Sequence, residues 1–186
     1  AAGALALAAL SLAAFGPDIW LAFLDGARGA SDNLGSGKMP LFKMATPFAG
    51  ARFAGLPLEA AAAFHAALAL AAAVAVGIVW RRVKDPELRA SALLAGVFFV
   101  APYGYFYELI VLALAVALMA KRGLELGWAR HEQALVTLAF LLPMMLPGKS
   151  SQTGVSWGLI VIVAVAALVI RRIAHEQPGT FSLRKA

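Results

Sequence analysis

Three tyrosines and one carboxylate stand together in a chain that is otherwise strongly apolar. Residues 102–108 read Pro-Tyr-Gly-Tyr-Phe-Tyr-Glu and lie between the apolar runs 90–100 and 109–120. Phenol hydroxyls and a carboxylate can hydrogen-bond to the hydroxyls of a sugar. A carboxylate at the start of a membrane-spanning helix costs roughly 2 to 3 kcal/mol unless it is paired, hydrated or protonated, so its presence needs an explanation.

Two of these tyrosines are spaced for one helix face. Tyr103 and Tyr107 are four residues apart, with Glu108 next in the chain, and a helix would place all three close together. We therefore interpret Tyr103, Tyr107 and Glu108 as the wall of a polar pocket, in which Glu108 accepts hydrogen bonds from a sugar or pairs with a basic residue. The alternative is a belt of interfacial tyrosines with a carboxylate that reaches water.

Four basic residues are candidates for holding a phosphate group. They are Lys38, Lys43, Arg52 and Lys149. Such cations bind phosphate through charge-assisted hydrogen bonds, and near a membrane that phosphate can belong to a lipid. For each residue alone, the alternative is a side chain that extends into solvent or among lipid head groups. The stretch around Lys38 is not a P-loop, because Asp32 stands where the first glycine belongs and Met39 replaces the Ser or Thr.

Other kinds of site are disfavoured. His65 is isolated in an apolar run, so we predict a hydrogen-bonded structural histidine rather than a metal ligand. The chain has no cysteine, which excludes disulfides and thiolate ligands. No basic face is interleaved with aromatic residues as nucleic-acid binding would require. We expect no metal, no cofactor and no nucleic-acid partner.

The composition indicates an integral membrane protein. Of the 186 residues, 62% are hydrophobic and 14% are charged, and the mean hydropathy is +0.81. Soluble domains are only about 45 to 50% apolar. We predict an all-α fold, a polytopic bundle of transmembrane helices.

The order of apolar runs and breaks predicts four regions. Residues 1–15 are too short to cross about 30 Å of hydrocarbon and would be the end of a truncated helix. Residues 16–56 would lie at the outer face as an amphipathic helix, a loop at 29–37 and a basic, aromatic segment. Residues 57–172 would form five spans, near 58–80, 88–101, 106–120, 132–146 and 155–170. Residues 173–186 would be a basic cytoplasmic tail.

The charges also predict the orientation in the membrane. When the loops alternate between two sides, one side carries five basic and five acidic residues, and the other carries eleven basic and five acidic residues. The second side is cytoplasmic by the positive-inside rule. This places Lys149 and the tyrosine segment on the extracytoplasmic face of a bacterial-type plasma membrane, with the C-terminus in the cytoplasm. The excess of basic residues also predicts membrane lipids as partners.

Several short motifs follow one another in a recognisable order. They are Phe15-Gly16-Pro17-Asp18 with Trp20 and Phe23, Lys38-Met39, Pro47-Phe48 with Arg52 and Gly55, and Pro102-Tyr103 followed by Tyr107-Glu108-Leu109. Over nearly the whole chain, their order and spacing resemble glycosyltransferase family 87, the polyprenol-phosphate-dependent membrane transferases of the GT-C type. The last motif is similar to that family's Pro-Tyr, spacer and Tyr-Asp-Leu pattern at a helix start, with Glu108 in place of the Asp.

The resemblance implies a multi-helix GT-C fold and a hexosyltransferase. Such an enzyme takes a sugar, often mannose, from a polyprenyl-phosphate donor and transfers it to a lipid or glycan acceptor at the extracytoplasmic face. The family's catalytic Asp is expected in an outer loop upstream of these residues, so we expect this chain to be the C-terminal half of the transferase and assign no catalytic residue. The rival class is a non-enzymatic polytopic membrane protein, such as a transporter half or an assembly subunit.

Overall fold

The computed structural model describes residues 2–36, 38–145 and 149–181, and these residues form an all-α fold. They contain nine α-helices, two short 3₁₀ helices and no strand beyond one isolated bridge. The chain divides into two compact units, Ala1–Pro40 and Leu41–Ala186. The predicted fold class is confirmed.

The smaller unit consists of two helices. Helix α1 spans Ala2–Phe15 and helix α2 spans Pro17–Gly35, with a bend of 112° between α1 and the Pro17–Ala30 part of α2. Gly16 makes this bend at a φ of 75°, and Pro17 begins α2 because a proline needs no backbone donor in the first turn. The predicted loop at 29–37 is wrong over most of its length, since α2 continues to Gly35.

The larger unit contains the remaining helices. Their bounds are α3 Pro47–Phe53, α4 Leu58–Arg82, α5 Pro86–Val100, α6 Ile110–Leu126, α7 Glu132–Met145, α8 Lys149–Thr153 and α9 Trp157–Glu176, with 3₁₀ helices at Leu41–Lys43 and Phe106–Leu109. Helix α5 ends directly before Ala101, as Pro102 predicts. Five of these helices therefore start where the five predicted spans start, within about two to four residues.

Two of the helices are long and apolar enough to cross a membrane. These are α4 and α9, and a third span results if α1 and α2 count as one bent segment. Helix α7 is apolar but shorter. Only 6% of the apolar window of α4 is buried, compared with 44% for α9, so α4 lies at the periphery of the unit and α9 lies near its core. The number of spans stays a prediction.

Successive long helices of the larger unit run up and down, so their ends gather at two opposite places. At one, which we call the tyrosine end, residues 41–53, 101–109 and 149–158 come together. At the other, the arginine end, the α4–α5 turn meets the α6–α7 turn and the last turn of α9.

Arg172 is the centre of the arginine end. Its side chain is only 1% exposed and forms ion pairs with Glu132, 2.7 Å away, and with Glu176. It also donates to the backbone carbonyls of Gly127, at 3.0 Å, and Arg122, at 2.9 Å. A buried guanidinium needs such partners because its transfer out of water is costly. Arg172 thus ties α9 to the ends of α6 and α7.

Arg122 extends the same network to α5. It binds both carboxylate oxygens of Glu176, and it pairs with Asp85 at 2.8 Å and Glu87 at 3.1 Å. Asp85 also caps α5 by accepting from the amides of Glu87 and Leu88. Burial alone would raise the pKa of Asp85, but the Leu88 amide and the Arg122 guanidinium hold that pKa below its ordinary value.

These ion pairs explain where the helix ends were predicted wrongly. The sequence suggested that Lys121-Arg122 and Arg171-Arg172 end their helices, but α6 continues to Leu126 and α9 to Glu176. Arg122 and Arg172 point into the protein and are neutralised there, so the helices have no need to stop at them. Helix α7, in contrast, ends at Met145, close to the predicted end near 146, with Pro143 in its last turn.

Candidate substrate site at the tyrosine end

A short extended segment, Met44 to Thr46, holds the tyrosine segment in place. Met44 and Tyr105 form an antiparallel bridge, and the amide of Ala45 donates to the carbonyl of Gly104 at 2.8 Å. The hydroxyl of Thr46 donates to the carbonyl of Pro102 at 3.1 Å while accepting from the first turn of α3. The basic, aromatic segment is therefore joined to the turn that carries the tyrosines.

The start of α9 packs tightly on the same segment. A Cβ placed on Gly158 would lie 2.7 Å from the Cα of Ala45 and 2.8 Å from the carbonyl oxygen of Met44. Only glycine allows the two backbones to approach so closely. This contact fixes the position of the Met44 segment relative to α9, and the bridge from Met44 in turn positions Tyr105.

The three tyrosine rings form a ladder. The rings of Tyr105 and Tyr107 are stacked, with centroids 5.5 Å apart, and the ring of Tyr103 meets that of Tyr105 edge-on at 5.4 Å. The hydroxyl oxygens of Tyr103 and Tyr105 are 3.5 Å apart, at the outer limit of a hydrogen bond. Tyr103 and Tyr107 are 41% and 73% exposed, so both present surface to solvent or a ligand.

This arrangement differs from the predicted one in its backbone. Tyr103 is not helical and Tyr105 is in the bridge, so Tyr103 and Tyr107 do not share a helix face. Extended residues 103–105 bring the rings together through Tyr105, which sequence reasoning left out of the site. The alternation of tyrosine at 103, 105 and 107 was the available signal, because a period of two is typical of extended chain.

Glu108 lies beside the ladder in the 3₁₀ helix Phe106–Leu109. One carboxylate oxygen lies 3.4 Å from the position of a Cβ on Gly104, and the side chain is half-buried. Within the described part of the chain, it makes no ion pair and no side-chain hydrogen bond. A hydrogen bond with Tyr103, partial burial and the nearby acidic groups, Glu108 included, raise the pKa of Tyr105. The cluster is thus rich in acceptors and poor in positive charge.

The predicted phosphate-binding residues lie in different settings. Lys43 is exposed, with its ammonium 5.7 Å from the centre of the Phe42 ring, and Lys149 is exposed at the start of α8. The 3₁₀ helix Leu41–Lys43 packs against α8, so Lys43 and Lys149 belong to neighbouring elements. Arg52 donates to the carbonyl of Leu56 at 2.8 Å and is half-buried. Lys38 is exposed and belongs to the smaller unit.

An apolar cavity of about 350 Å³ opens beside Tyr107. It lies between the start of α6 and the last turns of α7, and its walls include Ile110, Ala113, Phe140 and Pro143. Apart from Tyr107, the residues that line it are apolar. A cavity of this kind can take part of a hydrocarbon chain.

His65, which the sequence predicts to be a structural histidine, also lies near the tyrosine end. The ring of His65 meets Phe48 edge-on at 6.4 Å, where α3 packs on α4. Its Nδ1 is buried and has no hydrogen-bond partner among the described residues. The ring forms a hydrogen bond with the backbone of Val100. No group of three His, Cys, Asp or Glu in the described ranges could hold a metal ion.

The comparisons with known proteins gave one result. Neither the curated proteins nor the solved structures include a match to this chain. The sequence model of glycosyltransferase family 87 matches residues 1–102, which is more than half of the chain and ends at Pro102. The match is shorter than the resemblance suggested, because Tyr107 and Glu108 lie beyond it. The protein is a membrane glycosyltransferase by this match and by its apolar helices, and the chain belongs to glycosyltransferase family 87.

Proposed function

We propose that the protein transfers a mannose-like hexose from a polyprenyl-phosphate donor to a lipid or glycan acceptor, with the tyrosine end as the substrate site. Family membership supports glycosyl transfer as the reaction class. The observation that carries the choice of site is the unpaired Glu108 carboxylate beside three tyrosines at one end of a membrane bundle. Ionisable groups within membrane-spanning helix bundles are typical of binding sites.

The residues of this end suit the parts of such a substrate. Glu108 and the phenol hydroxyls can hydrogen-bond to sugar hydroxyls. The exposed ammonium groups of Lys43 and Lys149 can bind the lipid phosphate, with Arg52 as a further predicted contact. The apolar cavity beside Tyr107 offers room for hydrocarbon next to the sugar-binding groups.

The transfer itself exchanges one bond for another. An acceptor oxygen attacks the anomeric carbon, and the bond from that carbon to the phosphate oxygen breaks. The electron pair leaves with the lipid phosphate, and the acceptor proton passes to a base. Cations placed at the phosphate stabilise the charge that develops on it, which is where Lys43 and Lys149 contribute.

Substitution of the two lysines tests this assignment. We expect Lys43→Ala with Lys149→Ala to lower transfer of labelled mannose from polyprenyl-phosphate mannose about tenfold or more, because charged hydrogen bonds contribute about 1.5 to 3 kcal/mol. Lys84→Ala is the matched control, since Lys84 is an exposed lysine at the arginine end. The measurement uses membranes that contain the full-length protein, at equal protein levels.

The outcomes separate the alternatives. Unchanged transfer in the double variant would remove Lys43 and Lys149 from the phosphate site. A wild-type protein that transfers no hexose from this donor would contradict the proposed donor and revive the non-enzymatic alternative.

The proposed orientation places the tyrosine end outside the cell and the C-terminus in the cytoplasm of a bacterial-type cell. The excess of basic residues at the arginine end supports this orientation. Because the chain has no cysteine, single cysteines can report it. We expect Lys149→Cys to react with a membrane-impermeant maleimide in intact cells, and Lys84→Cys to react only after permeabilisation. The reverse pattern would overturn the orientation.

A further inference from the structure

We infer that Tyr105 is a positioning residue that assembles an aromatic platform for the uncharged sugar ring of the substrate. The platform consists of Tyr103, Tyr105 and Tyr107, with Glu108 beside it. The inference rests on the proposed function and adds that different residues bind the sugar and the phosphate. The sugar binds at the platform, and the phosphate binds elsewhere.

Tyr105 is the link between the other two rings. Tyr107 stacks on it and Tyr103 meets it edge-on, and no direct ring contact joins Tyr103 to Tyr107 among the described residues. The backbone of Tyr105 is itself held by the bridge to Met44. The ring of Tyr105 is therefore fixed from within the protein, and it orients two rings that are more exposed.

The platform suits a neutral polyhydroxyl ring. The free face of Tyr107, which is 73% exposed, can pack against the C–H groups of a sugar because an aromatic face carries negative charge density. The Glu108 carboxylate accepts hydrogen bonds from sugar hydroxyls at the edge of the ring.

The same cluster disfavours a phosphate. Within the described chain, Glu108 has no cation within ion-pair distance. The ionisable neighbours of Tyr105, which are Tyr103, Tyr107 and Glu108, all raise the pKa of Tyr105, as negative charge does. A phosphate beside this carboxylate would meet a like charge with no compensating partner. Lys43 and Lys149, on the neighbouring Leu41–Lys43 helix and α8, supply positive charge and form no ion pair with Glu108.

Two lipids distinguish the two parts of the site. One is polyprenyl-phosphate mannose and the other is the methyl ester of the same polyprenyl phosphate, which keeps the single negative charge of the donor but lacks the sugar. The ratio of their dissociation constants, measured by titration into the purified full-length protein, reports the contribution of the sugar. A general loss of folding would weaken the binding of both lipids and leave this ratio unchanged.

Tyr105→Leu and Tyr105→Phe then test the positioning role. We expect the wild type to bind the sugar-bearing lipid about tenfold more tightly, the value of one or two hydrogen bonds. Tyr105→Leu should reduce this preference to about onefold without changing the affinity for the methyl ester of polyprenyl phosphate. Tyr105→Phe should retain most of it, because it keeps the ring. Phe64→Leu, at an exposed ring of α4, is the control for the loss of an aromatic side chain outside the ladder.

Each outcome of these titrations tests a different part of the proposal. A full sugar preference in Tyr105→Leu would overturn the positioning role, and equal affinity of the wild type for the two lipids would overturn the platform. Neither of these results affects the proposed transfer, which is measured separately. Absence of transfer and of binding to both lipids would instead contradict the proposed function itself.

Discussion

The two ends of the larger unit treat their charged groups in opposite ways. At the arginine end, Arg122 and Arg172 are buried and share four carboxylates, so each charge is compensated within the protein. At the tyrosine end, the Glu108 carboxylate has no partner among the described residues, and the Nε of Arg52 is buried without one. The difference indicates that one end holds the helices together and that the other is available to a ligand.

The largest effect on stability is expected at Arg172. Arg172→Ala leaves the buried Glu132 without its ion-pair partner and removes one of the two arginines that bind Glu176, which should cost about 3 to 5 kcal/mol. Thermal unfolding in detergent measures the loss. Arg81→Ala is the matched control because Arg81 is an exposed arginine at the same end, and it should behave almost like the wild type. Equal stability of the two variants would contradict a structural arginine end.

A smaller loss is expected where α9 meets the tyrosine end. Gly158→Ala would bring a methyl group within 2.7 Å of the Ala45 backbone, and relief of that overlap should cost about 1 to 3 kcal/mol. Gly77→Ala in α4 is the control, since no atom lies within 4 Å of the added Cβ. We expect Gly158→Ala to lower transfer as well, because it displaces the segment that anchors Tyr105. A normal melting temperature for Gly158→Ala would show that the close approach is absent.

A pH-dependent effect of about 1 kcal/mol is expected at Asp85. Its pKa is held below the ordinary value in the folded protein, so its contribution is complete above the unfolded pKa of about 3.9 and is lost as the pH falls through the folded value. Asp85→Asn keeps the helix cap but removes the charge that pairs with Arg122. The two proteins should therefore differ in unfolding free energy at neutral pH and converge in acid. A difference that grows in acid would refute this assignment.

The smallest effect on stability is expected at Glu108, where the effect on activity is large. Glu108→Gln removes an unpaired charge and should change the unfolding free energy by less than about 0.5 kcal/mol. Transfer of hexose should fall about tenfold or more, because the neutral amide accepts weaker hydrogen bonds from sugar hydroxyls than the carboxylate does. Glu59→Gln, an exposed carboxylate in the first turn of α4, is the control. Unchanged transfer in a folded Glu108→Gln protein would remove Glu108 from the site.

Much of the fold could be predicted because its signals are local. Pro102 predicts the end of α5, and apolar runs predict within a few residues where the long helices begin. The helix ends at Arg122 and Arg172 could not be predicted in this way. Whether an arginine faces water or a carboxylate depends on partners 35 to 54 residues away in the chain.

The candidate site could also be predicted in part, because several of its residues are recognisable from local sequence. Tyr103, Tyr107 and Glu108 stood out by residue type in an apolar context, and Lys43 and Lys149 by the expected side of the membrane. Tyr105 was missed because four-residue spacing was read as helical, whereas Met44, 61 positions earlier, draws the segment into an extended conformation. A pairing partner so distant leaves no local signal beyond the alternation of the tyrosines.

By itself, then, the sequence determined that this is a helical membrane protein of glycosyltransferase family 87, where most of its helices begin, and which residue types can bind a sugar phosphate. Tertiary structure decided which charges compensate one another and which stay unpaired, and it made Tyr105 the centre of the ladder. The physical reason is range. Hydropathy, proline and capping act within a few residues, whereas ion pairs and ring contacts depend on helices packed from distant parts of the chain.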